Sequence, residues 1–263
     1  MYTGPHIVED GLIFGLDAGS SRCFTSGDTT ATDLVQGFNC SGANGNPGTG
    51  THTPDPSNFP VYSSTKGGVF DFAGGKGINV DGDLDNHTTS SMSMWLYRAS
   101  GGTQYITDAR NDSGSWFLSN YASFNINWHS TLQYNFEDPY NASAPEFINK
   151  WVHVTVTSNS SGSKIYINGV QKTASTTVSA DEDFGINFRI GTRYTVGSEW
   201  TGKMGSIYLY NKVLSAAEVA QNTELCIWQG NTAASSNNSF DGFEKLILAA
   251  ASSIPSSQKI AKT

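Results

Sequence analysis

Carboxylates, imidazoles and aromatic rings are the groups through which a protein acts on sugars, acyl groups and metal ions. Their spacing in this 263-residue chain narrows the chemistry at once. Retaining glycoside hydrolysis needs two carboxyls about 5–5.5 Å apart. Residues two apart on a strand, with Cβ atoms roughly 6.5–7 Å apart on one face, can supply that pair. A Glu-x-Asp-x-x-Glu pattern would place them so, and none occurs. The nearest cluster, Asp181-Glu182-Asp183, runs into Phe184-Gly185 and reads as a solvated turn, as does Glu137-Asp138-Pro139. No Gly-x-Ser-x-Gly elbow is present. His129 has no identifiable acidic partner, and His153, opposite a valine face, is expected at the surface or between sheets. The expectation is a protein that is not an enzyme.

Binding chemistry has more candidates. Asp81-Gly82-Asp83-Leu84-Asp85-Asn86 sets oxygen ligands at alternate positions, so Asp81, Asp83 and Asp85 are weak candidates for calcium. An EF-hand would need Gly at the sixth position and Glu at the twelfth; here these are Asn86 and Met92. The default is a solvated loop and no cofactor, with calcium as the alternative. A sugar ring has an apolar face and a polar rim, so exposed aromatic rings beside Asn, Asp and Gln suit it. Trp116, Tyr121, Trp128, Tyr134, Tyr194 and Trp200 fall in loops or at strand ends and are the carbohydrate-binding candidates. Cys23, Cys40 and Cys226 are too few for a disulfide scaffold and lack metal-ligand spacing. They are expected as reduced thiols, with a Cys23–Cys40 bridge as the competitor.

Composition bounds the partners. Fifteen Lys and Arg against 23 Asp and Glu give a net charge of −8, which argues against a nucleic-acid binder that must neutralise phosphates. No apolar run approaches the ~18 residues of a membrane span. Read from Met1, the opening lacks a basic segment and apolar core. That predicts synthesis in the cytosol without a signal peptide. With charged residues at only 14% and aromatics at 12%, the chain has ample surface to bury, and Gly, Ser, Thr and Asn take the place of helix formers.

The elements that must position these residues are strands. Residues 11–17 read as a short buried strand, and residues 19–66 as a long loop rich in turn formers. Phe70 and Phe72 share a face. Met92, Met94 and Leu96 alternate with Ser93, Trp95 and Tyr97, a half-buried strand with an aromatic outer face. Strands follow near 105–108, 115–118, 123–128 and 132–136. The clearest is 151–157, with Val152, Val154 and Val156 inward and Trp151, His153 and Thr155 outward. Asn168-Gly169 marks a type I′ hairpin. Residues 187–191 and 206–210 close the series. Ser215-Ala216-Ala217-Glu218 is a capping box, stapled by Leu214 and Val219, opening a helix that ends near Gln221 or Asn222. Many short strands with Gly-rich turns and no βαβ alternation make an all-β, two-sheet antiparallel sandwich with one short helix. A polar stretch at 231–239 then leads to Phe243, Leu246 and Ile247 at helical spacing. This stripe either packs on its own sandwich or docks on a neighbouring subunit.

The opening Gly4-Pro5-His6-Ile7-Val8-Glu9-Asp10-Gly11-Leu12-Ile13-Phe14-Gly15-Leu16-Asp17-Ala18 resembles the start of the laminin-G/concanavalin-A-like domains of tailed-phage virion structural proteins. Thr32-Asp33-Leu34 is similar to the Asp-Leu motif that follows, although Val35-Gln36-Gly37 replaces the usual Ser-Gly-Asn. Val69-Phe70-Asp71-Phe72-Ala73-Gly74, Ser93-Met94-Trp95-Leu96, Trp151-Val152-His153-Val154-Thr155 and Ile165-Tyr166-Ile167-Asn168-Gly169 resemble successive strands of the family. Ile190-Gly191-Thr192-Arg193, residues 202–207 and residues 210–215 resemble its close. The resemblance spans about residues 4–222 and implies a concanavalin A-like jelly roll.

It also implies a non-enzymatic virion protein, a capsid decoration or fibre component acting by assembly and surface binding. Its partners would be other virion proteins in multi-copy or oligomeric form, together with host surface glycans. The alternatives are a carbohydrate-binding tail-fibre adhesin and, from another class, a glycoside hydrolase or lyase. On this basis residues 1–10 form an N-terminal arm, 11–225 the sandwich, and 226–263 a linker and C-terminal docking arm in which Phe243, Leu246 and Ile247 serve assembly.

Overall fold

Val152, Val154 and Val156 face inward because their strand alternates, and they meet Leu96, Met94 and Met92 of a neighbour in antiparallel register. That pairing sits near the centre of one sheet in the computed structural model. The structure describes residues 7–43, 55–84, 87, 89–99, 103–109, 116–120, 125–128, 132–135, 149–172, 184–185, 188–193 and 198–229. The chain divides into two units, 1–231 and 232–263, and all of these residues lie in the first.

In chain order the strands are β1 Leu12–Leu16, β2 Thr30–Thr32, β3 Asn39–Gly42, β4 Val61–Ser63, β5 Val69–Asp71, β6 Ile78–Asp81, β7 Ser90–Arg98 and β8 Thr103–Asp108. They continue with β9 Trp116–Asn120, β10 Asn125–Trp128, β11 Leu132–Asn135, β12 Trp151–Asn159, β13 Gly162–Ile167, β14 Val170–Lys172, β15 Arg189–Ile190 and β16 Gly202–Tyr210. Helix α1, Ala216–Gln229, follows. The first sheet runs β14-β13-β12-β7-β16-β5-β4, with β1 also pairing β16. The second runs β11-β10-β9-β8-β15-β6-β3-β2. The assigned pairings are antiparallel, so the chain is the all-β sandwich that its residue pattern predicts.

The core lies between the sheets. Phe14, Leu16, Phe70, Met94, Leu96, Val154, Ile165, Met204, Ile207 and Leu209 of the first sheet meet Cys40, Ile78, Val80, Ile106 and Ile190 of the second. Phe184 and Phe188 sit edge to face 6.0 Å apart in the same cluster. A bulge in β16 keeps its two halves in the core: pairing with β7 shifts between Met204 and Ile207, so both of these residues face inward. Gly205 occupies the bulge, where a Cβ would lie 3.2 Å from that of Trp95.

Two local signals hold as read. Asn168 and Gly169 take φ of 51° and 79°, as a type I′ turn requires, and join β13 to β14. The capping box closes reciprocally: Ser215 N donates to Glu218 Oε2 at 2.7 Å, and Glu218 N to Ser215 Oγ at 3.3 Å. Lys212 Nζ reaches Glu218 Oε1 at 2.7 Å and Asp10 Oδ2 at 2.6 Å. The lysine's hydrogen bond holds the Glu218 carboxyl below its ordinary pKa.

Two expectations are corrected. Residues 19–66 are not one long loop, because β2, β3 and β4 lie within them. These strands are three or four residues long and mostly polar, and Ala31 and Cys40 are the inward residues through which β2 and β3 reach the core. The helix continues past Asn222 to Gln229. Asn222 and Thr223 are poor helix formers whose side chains are satisfied by tertiary partners instead: Asn222 Nδ2 donates to the Tyr210 hydroxyl at 2.9 Å, and Val8 N donates to Asn222 Oδ1 at 3.1 Å.

Because the box supplies donors and acceptors that helix termini otherwise lack, Ser215→Ala is expected to lower stability by about 1 kcal/mol. Urea denaturation checks this, and an unchanged midpoint would mean that packing alone holds the helix.

Candidate functional site

The outer face of the first sheet divides into a covered half and an open half. Helix α1 covers the first. Tyr166, Tyr208 and Tyr210 project outward from β13 and β16 and pack with Val8, Leu214 and Val219 in a second apolar cluster. Ser91 pins the turn into the helix, donating to Lys212 O at 2.6 Å and accepting from Leu214 N at 3.0 Å.

His153 lies in this covered half at 1% exposure. It is neither at the surface nor between the sheets, which corrects both expectations for it: its strand points it outward, but the helix closes over it. Thr223 Oγ1 is 2.8 Å from Nδ1 and also donates to Val219 O at 2.8 Å. A hydroxyl has one hydrogen, so Thr223 accepts from Nδ1–H, which leaves Nε2 as the acceptor for Ser93 Oγ at 3.0 Å. Thr155 Oγ1 donates in turn to Ser93 Oγ at 3.3 Å. Trp95 packs against the ring at 5.2 Å. The serine–histidine hydrogen bond has the form of an activated nucleophile, but both residues are sealed from solvent. The network fastens the helix to the sheet. Burial pushes the imidazole pKa down to about 3.

The open half carries a row across four strand pairings. Trp151 of β12 stands opposite Tyr97 of β7, Tyr97 opposite Lys203 of β16, Lys203 opposite Asp71 of β5, and Asp71 opposite Val61 of β4. The Trp151 and Tyr97 rings are half-buried, 5.6 Å apart and inclined at 48°. Lys203 Nζ and Asp71 Oδ2 are 3.9 Å apart with side chains 34% and 32% exposed, and Val61 is 61% exposed. The sequence marked the outer face of β7 as aromatic, but the row itself depends on strand register, which no local pattern discloses.

On the outer face of the second sheet, register aligns Ser41, Asn79, Arg189 and Asp108, all buried, with Trp116 next in the row. Beside them the Arg193 guanidinium carbon lies 5.5 Å from the centre of the Tyr105 ring. Buried polar side chains in such a row hold strands together and offer little to a solvated ligand.

Among the described residues, register brings only two of the sequence-nominated aromatics to one face: Trp128 and Tyr134 are diagonal neighbours across β10 and β11. Trp200 is fully buried in the core, with its backbone N–H donating to Gly191 O at 2.8 Å. It is a core residue and not a sugar platform: burying an indole outweighs the exposure that its loop position suggested. Trp116 opens β9, Trp128 ends β10 opposite Phe117 and Leu132, and Tyr134 stands in β11 opposite Ile126. Tyr121 and Tyr194 lie outside the described residues, as do Asp85, Phe243, Leu246, Ile247 and the carboxylates of 181–183. Asp81 and Asp83 are exposed, and among the described residues no group of three His, Cys, Asp or Glu is placed to hold a metal.

Cys23 and Cys40 are free thiols buried in the core. Cys23 Sγ accepts from Asp17 N at 3.3 Å. Burial pushes the Cys23 pKa up to about 11 and raises that of Cys40 further. Asp33, also buried, is spent on backbone, accepting from Gly15 N at 2.7 Å and Gln36 N at 2.6 Å.

A family profile described as the concanavalin A-like lectin/glucanases superfamily matches residues 72–220, more than half of the chain. The chain belongs to that superfamily. Among solved structures, it is similar to domain 4 of AbnA, an extracellular arabinanase from Geobacillus stearothermophilus, solved in complex with arabinotriose. The TM-score is 0.56 at 17% identity, covering 81% of this chain and 98% of that one. It is also similar to the botulinum neurotoxin serotype D binding domain, with TM-score 0.56 at 17% identity, covering 82% of this chain and 52% of that one. A ligand binding domain of that serotype in complex with N-acetylneuraminic acid gives 0.55 at 19%, covering 82% and 51%. The chain therefore spans about half of the neurotoxin domains and nearly all of the arabinanase domain. No curated protein matches. At these identities the likeness establishes the concanavalin A-like jelly roll.

His153 makes stability depend on acid. Its folded pKa, about 3, lies below the ordinary 6.5, so between these values the unfolded chain binds the extra proton. Stability is full above 6.5 and falls as pH drops, by up to about 1.4 kcal/mol per unit. Denaturation at pH 7 and pH 4.5 should show a smaller acid loss in His153→Gln than in the unsubstituted chain. Equal losses would assign the acid sensitivity to the carboxylates.

Proposed function

We propose that this chain is a non-catalytic carbohydrate-binding module of a virion surface structure. The glycan part is carried by one observation: the likeness covers 98% of an arabinanase domain whose structure contains arabinotriose. A neurotoxin ligand binding domain of the same fold, solved with N-acetylneuraminic acid, supports it further. Three of the described carboxylates are engaged within the fold. Asp33 caps backbone amides, Asp17 accepts from Gly19 N at 2.9 Å, and Asp71 faces a lysine.

The virion part rests on the resemblance of residues 4–18 to the opening of phage structural domains. In that setting the low charge of the chain suits a subunit whose surface faces other subunits or sugars, and the segment after α1 serves as the linker and docking arm.

A glycan array probed with the purified chain should give signals on a restricted set of neutral or sialylated glycans, and a blank array would defeat the glycan half. Mass spectrometry of purified particles addresses the rest. Tens to hundreds of copies per particle are expected for a capsid or fibre component, and absence from particles would remove the virion assignment while leaving sugar binding intact.

A further inference from the structure

Sugar binding needs a surface, and of the nominated aromatics register brings only Trp128 and Tyr134 to one face among the described residues. We infer that the open half of the first sheet's outer face, the row Trp151–Tyr97–Lys203–Asp71, is a binding site for a neutral sugar ring. The inference rests on the carbohydrate reading for its ligand class, while its place in the fold comes from the structure alone.

The aromatic pair supplies the floor. The two rings lie 5.6 Å apart at 48°, and both stay partly exposed although the same sheet face is buried under a helix only a few residues along. The C–H face of a pyranose or furanose is flat and weakly apolar, and it gains dispersion and desolvation energy over such rings. Gly205, beside them on β16, adds no side chain: the nearest ring atom to a Cβ built there is Trp151 Cζ3 at 4.0 Å. Trp95, in the next row and 7% exposed, has an indole N–H with no hydrogen-bond partner among the described residues.

The ion pair supplies the rim. Lys203 Nζ and Asp71 Oδ2 are 3.9 Å apart, beyond the range of a good hydrogen bond. The ammonium keeps donors and the carboxylate keeps lone pairs for a third partner. A hydroxyl is the group that satisfies both at once, accepting from the lysine and donating to the aspartate. With one positive and one negative group the rim is neutral overall. A carboxylated sugar would gain from Lys203 and be repelled by Asp71, so the site favours uncharged rings over acidic ones.

The test is titration of the full chain by calorimetry with arabinotriose, with the neutral glycans that give array signals, and with sialyllactose. Trp151→Ala and Tyr97→Ala should each weaken neutral-sugar binding by about tenfold or more, whereas Trp151→Phe, which keeps a ring, should bind within a few-fold of the unsubstituted chain. Lys203→Ala and Asp71→Ala remove side chains that are 34% and 32% exposed and should weaken binding without unfolding the sheet, so they carry the test if the aromatic variants lose their melting transition. Asp71→Asn should raise relative affinity for the sialylated probe.

Neutral-sugar binding unchanged in Trp151→Ala, Lys203→Ala and Asp71→Ala, or lost in Trp116→Ala while these variants keep it, would overturn the site and leave the carbohydrate reading standing. If the unsubstituted chain binds no glycan, the carbohydrate reading itself fails and the site with it.

Discussion

Three nine-residue strands, β12, β7 and β16, lie side by side, and the first sheet is built on their pairing. Strand alternation gives each of them two faces, and the inward one is satisfied by Met, Val, Leu and Ile against the second sheet. The outward one is the constraint. It carries Ser, Thr, His, Trp and Tyr, a mixture too polar for a second core and too aromatic for open water. The chain meets this in two ways along the same strands. One half is roofed by a helix that brings its own hydroxyl and amide partners, and the other stays open beneath an aromatic pair and an ion pair.

The roof explains why the helix is fixed where it is. Val8, Tyr210, His153 and Ser91 each bond to α1 or to the turn that precedes it. A histidine without a charged partner in that position stays neutral and orders the hydroxyls around it. The same arrangement removes the histidine from chemistry, which is why a serine–histidine hydrogen bond in this sandwich reads as architecture.

Most of the fold was legible because it rests on local patterns. The Val152–Val154–Val156 alternation, the Asn168-Gly169 turn and the Ser215–Glu218 box each carry their geometry within a few residues. What escaped depends on distant partners. β2, β3 and β4 are too short and polar to announce themselves, and β16 was legible only from Ser206 because the bulge at Gly205 breaks its alternation. The helix end was misplaced because Asn222 and Thr223 draw their stability from Tyr210, Val8 and His153, which lie far away in sequence. The site suffered most from this. Trp200 resembled an exposed loop aromatic and is core, while Trp151, Tyr97, Lys203 and Asp71 meet only through register between strands separated by up to about 130 residues.

Cys23 and Cys40 lie on either side of β2, both within the core and both free. Once the sheets close, neither forms the thiolate that disulfide exchange requires, so in the folded chain this pair is indifferent to its redox surroundings. The unfolded chain is not, since its thiols are ordinary and near one another in sequence. In an oxidising compartment, closure of the sandwich and oxidation of this pair would therefore race, and the winner is settled before the native state exists.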